Sequence, residues 1–457
     1  NFPIKFPIDT IRCKTLKGFV SESTLLKNIN SSYPVIHEHV LPLFADFILH
    51  KRKFGSNIER EFYKDMNFLQ FVDRLLKKRA VMFMGTEDDY VLLNGVAGIG
   101  RWEQIGKDGE NGELRLENCL SYDEIKLSAF LSVSSYSYFI NDGNRHNRGK
   151  ICKQREIIQE EGIIIGLIGA RMEKPGVMEY QELVIDSNQN VEGNGYGTSF
   201  APTMAFMEYQ EIIIDSNQNV EGNGYGTSFA PTMASLFSGF YGKPSWTYAS
   251  FKNSNEIENT EKYTEIFKGA YYDNMTYSKR IAISIDTLLF EANHRGKEKN
   301  TSAYVYVVGI GLGVWKCSTH QEKIFVDTFV SRIELFGKYL HNISDMHFAY
   351  FDRSTSCGKY QPGSKIPIED HPNGGIRVFI SERQPHEALV DENKGKLLVV
   401  SYAWDSNALP GNEFWVGMLS ASGDPAAACS TQVAELHNPH INTNVSGENL
   451  KIAARGE

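Results

Sequence analysis

The sequence predicts an α/β protein built on a mixed central sheet with helices on both faces. Short β-branched and aromatic runs recur from residue 128 onward, segments of helical period alternate with them, and several of the runs are apolar without interruption. Uninterrupted apolar strands are those buried on both faces of a largely parallel sheet. Alternation of strand and helix is the mark of α/β layering. In such sheets ligands gather beyond the carboxyl ends of the strands.

Taken in order, residues 22–80 read as helical. SESTLLKNI has a serine start, and HEHVLPLFADFILHKRK and EREFYKDMNFLQFVDRLLKKRA carry apolar residues at i, i+3 and i+4. This is a helical N-terminal extension, residues 1–80, laid on a core of residues 81–435. VMFMG (81–85) and YVLLNG (90–95) read as strands, as do SAFLSVSSYSYFIND (128–142), IIIGLIGA (163–170) and YQELVID (180–186). RIAISIDTLLF (280–290) alternates at first and then stays apolar. AYVYVVGIGLGVW (303–315) is a buried strand ending in glycines, and QEKIFVDTFVSRIELFGKYL (321–340) has helical period. MHFAYFD, GIRVFIS and KLLVVSYAWD complete the set, and residues 436–457 are polar and read as a flexible tail.

The chain has 457 residues, 41% hydrophobic and 23% charged, with a net charge of −9. It is long enough to bury a large core. An acidic balance argues against non-specific nucleic-acid binding, which needs a basic footprint. No apolar run reaches the roughly 18 residues of a membrane span, so no membrane partner is expected. The six cysteines lie far apart without CxxC spacing, which reads as reduced thiols of a cytoplasmic protein. The twelve histidines show no HExxH spacing and only one HxH pair, His37 and His39, so no metal is expected.

One stretch occurs twice. VMEYQELVIDSNQNVEGNGYGTSFAPTMA (177–205) is followed at once by FMEYQEIIIDSNQNVEGNGYGTSFAPTMA (206–234), with differences only at Val177/Phe206, Leu183/Ile212 and Val184/Ile213. Solenoid architectures need three or more diverged units, so two near-identical copies read as a local duplication. A sheet position holds one strand, so one copy is an insertion. Loop-closure entropy grows only logarithmically, which favours the first copy in the sheet and the second in the long connection toward residue 280.

Four stretches carry chemistry. FINDGNRHNRG (139–149) follows a strand and holds Asn141, Asp142 and Gly143. QEEG (159–162) places Glu160 and Glu161 between that polar loop and IIIGLIGA, where partial desolvation would suit a carboxyl to acid/base work. GIGLGVW (309–315) offers Gly309, Gly311 and Gly313 between a strand and a helix, the context in which backbone N–H groups meet phosphate. No acidic ribose partner follows about 20 residues on, so no nicotinamide cofactor is expected, and none of another kind. GNGYGTSF (193–200, again at 222–229) brings Asn194, Tyr196 and Phe200, with Tyr225 in the second copy, to stack on a ring or cover a phosphate. SYAWDSNALPGNEFWVGMLSASGDPAAACST (401–431) adds Asp405, Glu413 and Asp424 among small and aromatic residues. It reads as tight packing or backbone beside a ligand.

In this order YFIND, GNRHNRG, QEE, YQELVIDSNQNVEGNGYG, ISIDTLLF and VVGIGLGVW resemble the poly(ADP-ribose) glycohydrolase branch of the macrodomain fold over roughly residues 128–350. LSAFLSVSS, VSYAWD and NEFWVGMLSASGDPAAACST are similar to the narrower MavL-type set, which extends the resemblance to about 90–435. The family's triple glycine is replaced here by Gly143, Asn144, Arg145 and His146. The resemblance implies a three-layer macrodomain-like fold and an ADP-ribosylhydrolase acting on mono-ADP-ribosyl-arginine of modified proteins, notably ubiquitin. It implies Glu161 as acid/base, with Glu160 and Asp142 holding ribose and leaving group. Asn141 and Gly143 would line the site, Gly309, Gly311 and Gly313 would take the diphosphate, and Asn194, Tyr196, Phe200 and Tyr225 the ribose. Asp123 would meet the adenine amino group. The alternative is a reader that binds ADP-ribose without cleaving it. The carboxylate pair argues against that, since a reader has no need of one.

Overall fold

Why some of these runs become strands and others helices follows from what caps and covers them. The structure, a computed structural model, describes residues 16–197, 232–352, 356–405, 407–420 and 422–455. Its strands in chain order are β1 (Tyr33–His37), β2 (Met82–Met84), β3 (Asp89–Val91), β4 (Ala97–Ile99), β5 (Leu131–Tyr138), β6 (Glu161–Leu167), β7 (Val184–Ile185), β8 (Tyr263–Phe267), β9 (Ala270–Asp273), β10 (Ala303–Val307), β11 (Ile343–Ala349), β12 (Lys365–Pro367), β13 (Gly375–Ser381), β14 (Leu397–Ala403) and β15 (Lys451–Ala453). The central sheet runs β12-β13-β11-β10-β14-β6-β5-β1-β15. Strands β13, β11, β10, β14 and β6 are mutually parallel. Strand β5 is antiparallel to both β6 and β1, and β12 to β13, so the sheet is mixed.

The parallel strands are the apolar runs, and their faces pack against different layers. Ile163, Ile165, Val305, Val399 and Met346 meet the helices Asn274–Lys299 and Gln321–Phe336 in one core. Ile164 and Tyr402 face a second core with Phe44, Phe47 and Phe71 of the N-terminal helices and Ala427, Ala428 and Val433 near the C-terminus. The result is a three-layer α/β arrangement. The first connection from each parallel strand leaves at its carboxyl end, which concentrates loops on one edge of the sheet.

Several expectations change. The N-terminal region is not helix alone: β1 lies inside it and joins the central sheet between β5 and β15. RIAISIDTLLF lies within the helix Asn274–Lys299. Its apolar residues fit either period over a short window, but Asp273 accepts a hydrogen bond from the Thr276 N–H and starts a helix there. YQELVID is a four-residue helical turn, Tyr180–Leu183, followed by the two-residue β7. That strand belongs to a side sheet, β7-β9-β8, and not to the central one. Of the second copy, residues 206–231 lie outside the described residues, while Thr232 caps the helix Met233–Tyr241.

Residues 436–457 are packed rather than loose over their described part. The reason is the serine-rich β5. Its Ser135 hydroxyl pairs with His437 Nε2 at 2.9 Å, Tyr402 pairs with His437 Nδ1 at 3.1 Å, and Ser137 donates to Gln432. The C-terminal segment satisfies polar groups that the sheet would otherwise bury unpaired. Strand β15 then pairs with β1. Among the described residues no helix is long and apolar enough to cross a membrane.

Candidate active site at the carboxyl edge of the sheet

The loops after β6, β10 and β14 leave the same edge of the sheet and touch. A Cβ on Gly169 would lie 2.2 Å from the Gly311 nitrogen and 2.4 Å from the Ile310 carbonyl carbon. Gly311 has φ +73°, and a Cβ on it would lie 3.0 Å from the Ala170 nitrogen. Two backbones are in contact here, and no side chain fits between them. Gly309 and Gly313 carry no such constraint: space around Gly313 is open. The following helix begins only at Gln321, whose side chain accepts from the N–H groups of Cys317 and Ser318. The glycine loop is therefore a free-standing backbone turn, not the direct N-terminus of a helix.

Beyond β14 sits a group of carboxyls. Asp424, fully buried, accepts from the N–H of Gly411 at 2.7 Å and of Asp405 at 3.3 Å. Glu413, 8% exposed, accepts from the Ser422 hydroxyl at 3.0 Å. Asp405 accepts from the Asn412 amide and is the most open of the three. Asn412 is itself fixed by a reciprocal pair with the Phe83 backbone. Burial, and then the charge of Glu413, push Asp405 up to about 7. Burial also raises Glu413, and burial with the charges of Asp405 and Glu413 puts Asp424 well above the usual carboxylate range. Like groups in a desolvated pocket oppose one another's ionisation, which is why all three lie above their ordinary range.

Arg171, on the strap that leaves β6, faces this group. Its guanidinium donates to Asn407 Oδ1 at 3.2 Å, to the Gly85 carbonyl at 3.1 Å and to Glu173 at 3.1 Å. It lies over the Phe83 ring at 4.8 Å. Among the described residues, Arg171 Nε, Asn407 Nδ2 and Glu413 Oε2 are buried without a partner. Two donors and one acceptor beside the carboxyls are thus left without a protein partner. Among the described residues, no three His, Cys, Asp or Glu side chains are grouped to hold a metal ion.

The strap continues through Lys174, which is bonded to Asp88, to a neighbouring cleft of about 680 Å³. Three of the residues singled out in the sequence, Asp123, Asn194 and Tyr196, line this cleft together. Burial alone would push Asp123 up, but Lys51 at 2.9 Å and Lys126 hold its carboxyl below the usual range. Tyr196 donates to the Gln181 carbonyl, and Asn194 to that of Gln189. Phe200 and Tyr225 lie outside the described residues.

The structure does not bring the QEE carboxylates here. Glu161 opens β6 and Glu160 precedes it, at the amino end of the strand, about 20 Å of extended chain from the strand's carboxyl end. Their side chains are 64% and 40% exposed, for Glu160 and Glu161, beside Arg155 and Lys27 at 3.9 Å. The partial desolvation expected at that boundary is not found, because both side chains reach solvent at the open amino end of the strand. Asn141, Asp142 and Gly143 form a turn against the segment after β13: the Asp142 carbonyl accepts from the His386 N–H, and Asn141 Oδ1 accepts from Gly143. Asp405, Glu413 and Asp424 stand in no catalytic motif of the sequence. Their one linear signal is the density of small and aromatic residues around three acids.

The fold and pocket thus define an α/β protein whose sheet edge holds a cluster of desolvated carboxyls, the setting in which perturbed carboxyls do acid/base work. A family model described as ADP-ribosylhydrolase MavL-like matches residues 1–205 and 202–457. Each match carries one copy of the repeat. Two Drosophila melanogaster proteins align along nearly the whole chain: ADP-ribosylarginine hydrolase CG3568, 43% identical over 99% of this chain and 84% of its own, and ADP-ribosylarginine hydrolase CG2909, 40% identical over 99% and 85%. The chain belongs to the MavL-like ADP-ribosylhydrolase family and is a hydrolase of ADP-ribosyl bonds.

Proposed function

We propose that the protein removes mono-ADP-ribose from arginine side chains, on a macrodomain-like fold, with the acidic group around Asp405 as its catalytic site. The observation that supports this most is the set of three desolvated carboxyls at the carboxyl edge of the sheet, with Asp405 raised to about 7. The relatives' names specify arginine, and an acidic pocket suits that linkage. A guanidinium is planar and cationic, and carboxylates bind it by paired charge-assisted hydrogen bonds.

In this reading the C1–N bond to the guanidinium breaks through an oxocarbenium-like state, and the leaving group departs as neutral guanidine. Ionised Asp405 takes a proton from the attacking water as its oxygen bonds to C1. A neighbouring protonated carboxyl, Glu413 or Asp424, returns a proton to the guanidine. The products are ADP-ribose and arginine. The diphosphate would lie along the 309–313 turn, and the adenosine end in the cleft of Asp123, Asn194 and Tyr196. The resemblance implies ubiquitin as carrier of the modified arginine; the pocket itself is read only as a site for the ADP-ribosyl-guanidinium.

The test is ADP-ribose release from an arginine-ADP-ribosylated protein, wild type beside Asp405→Asn. Loss of about 100-fold or more in kcat is expected, the range for removal of a general base. Unchanged release by the variant would remove Asp405 from the mechanism. Binding of ADP-ribose without release by the wild type would make the protein a reader.

A further inference from the structure

We infer that Arg171 is a positioning residue of this site: its guanidinium, fixed beside Asp405, joins the Asn412 amide in favouring Asp405 as the ionised carboxyl of the three. This rests on the reading of the acidic group as the catalytic site, and extends it to a residue that touches no reacting atom.

Arg171 is built in rather than mobile. It is 2% exposed, and its two terminal nitrogens are held by Asn407, Gly85 and Glu173, while its own backbone N–H donates to Glu179 at 2.8 Å. Glu179 is in turn paired with Arg280, whose guanidinium also donates to the Ile168 carbonyl at the end of β6. The strap cannot swing away without breaking that chain of bonds. The Phe83 ring beneath Arg171 belongs to the residue whose backbone clamps Asn412, and Asn412 clamps Asp405. The cation and the carboxyl it acts on are therefore set from one backbone position.

Around Asp405 the charged and titratable groups come from three sides. Arg171 and Glu173 come from the strap, Glu413 from the turn after residue 411, and Asp424 from the helix Gly423–Ser430. Behind Asp424 stand Arg79 and Tyr402. Of the cations, Arg171 acts on Asp405, whereas Arg79 stacks on Trp404 and donates to the Leu75 and Ser128 carbonyls. A fixed cation favours the charged form of the carboxyl nearest to it, and a like charge disfavours it. Arg171 and Glu413 therefore push the ionisation of Asp405 in opposite directions.

That opposition supplies the test. The pH dependence of kcat for ADP-ribose release is measured for wild type, Arg171→Met, Arg171→Lys and Glu413→Gln. With Asp405 ionised as the working form, activity falls as pH drops through its pKa. Arg171→Met keeps the aliphatic bulk and loses the charge, so its acid limb should move to higher pH by about one unit, the size of a close charge effect. Glu413→Gln should move the limb to lower pH, and Arg171→Lys, which keeps the charge, should restore most of the wild-type profile. A lower kcat for Arg171→Met on an unshifted limb would overturn the inference and leave Arg171 a purely structural residue. If Arg171→Met does not fold, Arg171→Gln decides, since its amide can still donate to the Gly85 and Asn407 oxygens while the charge is lost: an unshifted acid limb overturns the inference. Absence of release by the wild type would instead remove the catalytic reading itself.

Discussion

A carboxylate's neighbours, not its place in a motif, decide what chemistry it can do. Glu160 and Glu161 occupy the most family-like motif in the chain, yet each is substantially exposed and faces one distant cation. Water there screens any perturbation. Asp405 has no motif around it, but sits in a pocket closed by Asn412, Glu413 and Asp424. At this scale the expectation is a contrast. Glu161→Gln should change kcat/KM for ADP-ribosyl-arginine by less than about fivefold, because exposed pairs contribute little. The experiment is a side-by-side rate measurement with Asp405→Asn. A collapse of activity in Glu161→Gln would return the catalytic role to the amino end of β6.

At the scale of elements, the site depends on two backbones approaching where β6 and β10 end. Gly169 and Gly311 permit it, and a methyl group at residue 169 would stand at 2.2 Å from a main-chain nitrogen. That atom cannot rotate aside as a side chain could. Gly169→Ala should therefore displace the 309–313 turn and weaken ADP-ribose binding by about tenfold or more, the equivalent of about 1.4 kcal/mol. Gly313→Ala, with open space around it, should bind as the wild type does. Calorimetric titration of both with ADP-ribose checks the pair. Equal affinities would show that the turn plays no part in the ligand's seat.

At the scale of the whole molecule, the acidic site works against stability. Asp405, Glu413 and Asp424 all lie above their ordinary range in the folded state. A carboxyl raised on folding contributes stability that is full below its unfolded value, near 4, and is lost as pH rises through the folded value. For Asp405 that window runs from about 4 up to about 7. Glu413→Gln removes one of the competing charges. Its unfolding free energy should exceed that of the wild type at pH 8 by on the order of 1 kcal/mol, and the difference should shrink below pH 5, as expected where function is held against stability. Denaturant unfolding at the two pH values measures this. A variant less stable than wild type at pH 8 would contradict the like-charge account.

How far the sequence reaches is set by the range of the forces that each feature depends on. The parallel strands were legible because burial on both faces demands an unbroken apolar run, and IIIGLIGA, AYVYV and LLVV have no other use. The glycine-rich end of β10 was legible as a turn, because turns announce themselves locally, and Asp123, Asn194 and Tyr196, singled out in the sequence, share one cleft. By itself the sequence determined an α/β protein with a mixed central sheet, and a resemblance that named its family. Other features were decided only by tertiary structure. Helix or strand at RIAISIDTLLF depended on the Asp273 cap and on which face the sheet offered. The packed C-terminal segment depended on β5 serines some 300 residues earlier, whose hydroxyls needed partners. The acidic site depended on carboxyls at 405, 413 and 424 being desolvated together beside Arg171. Desolvation and like-charge coupling are properties of the space between side chains, and no linear spacing records that space.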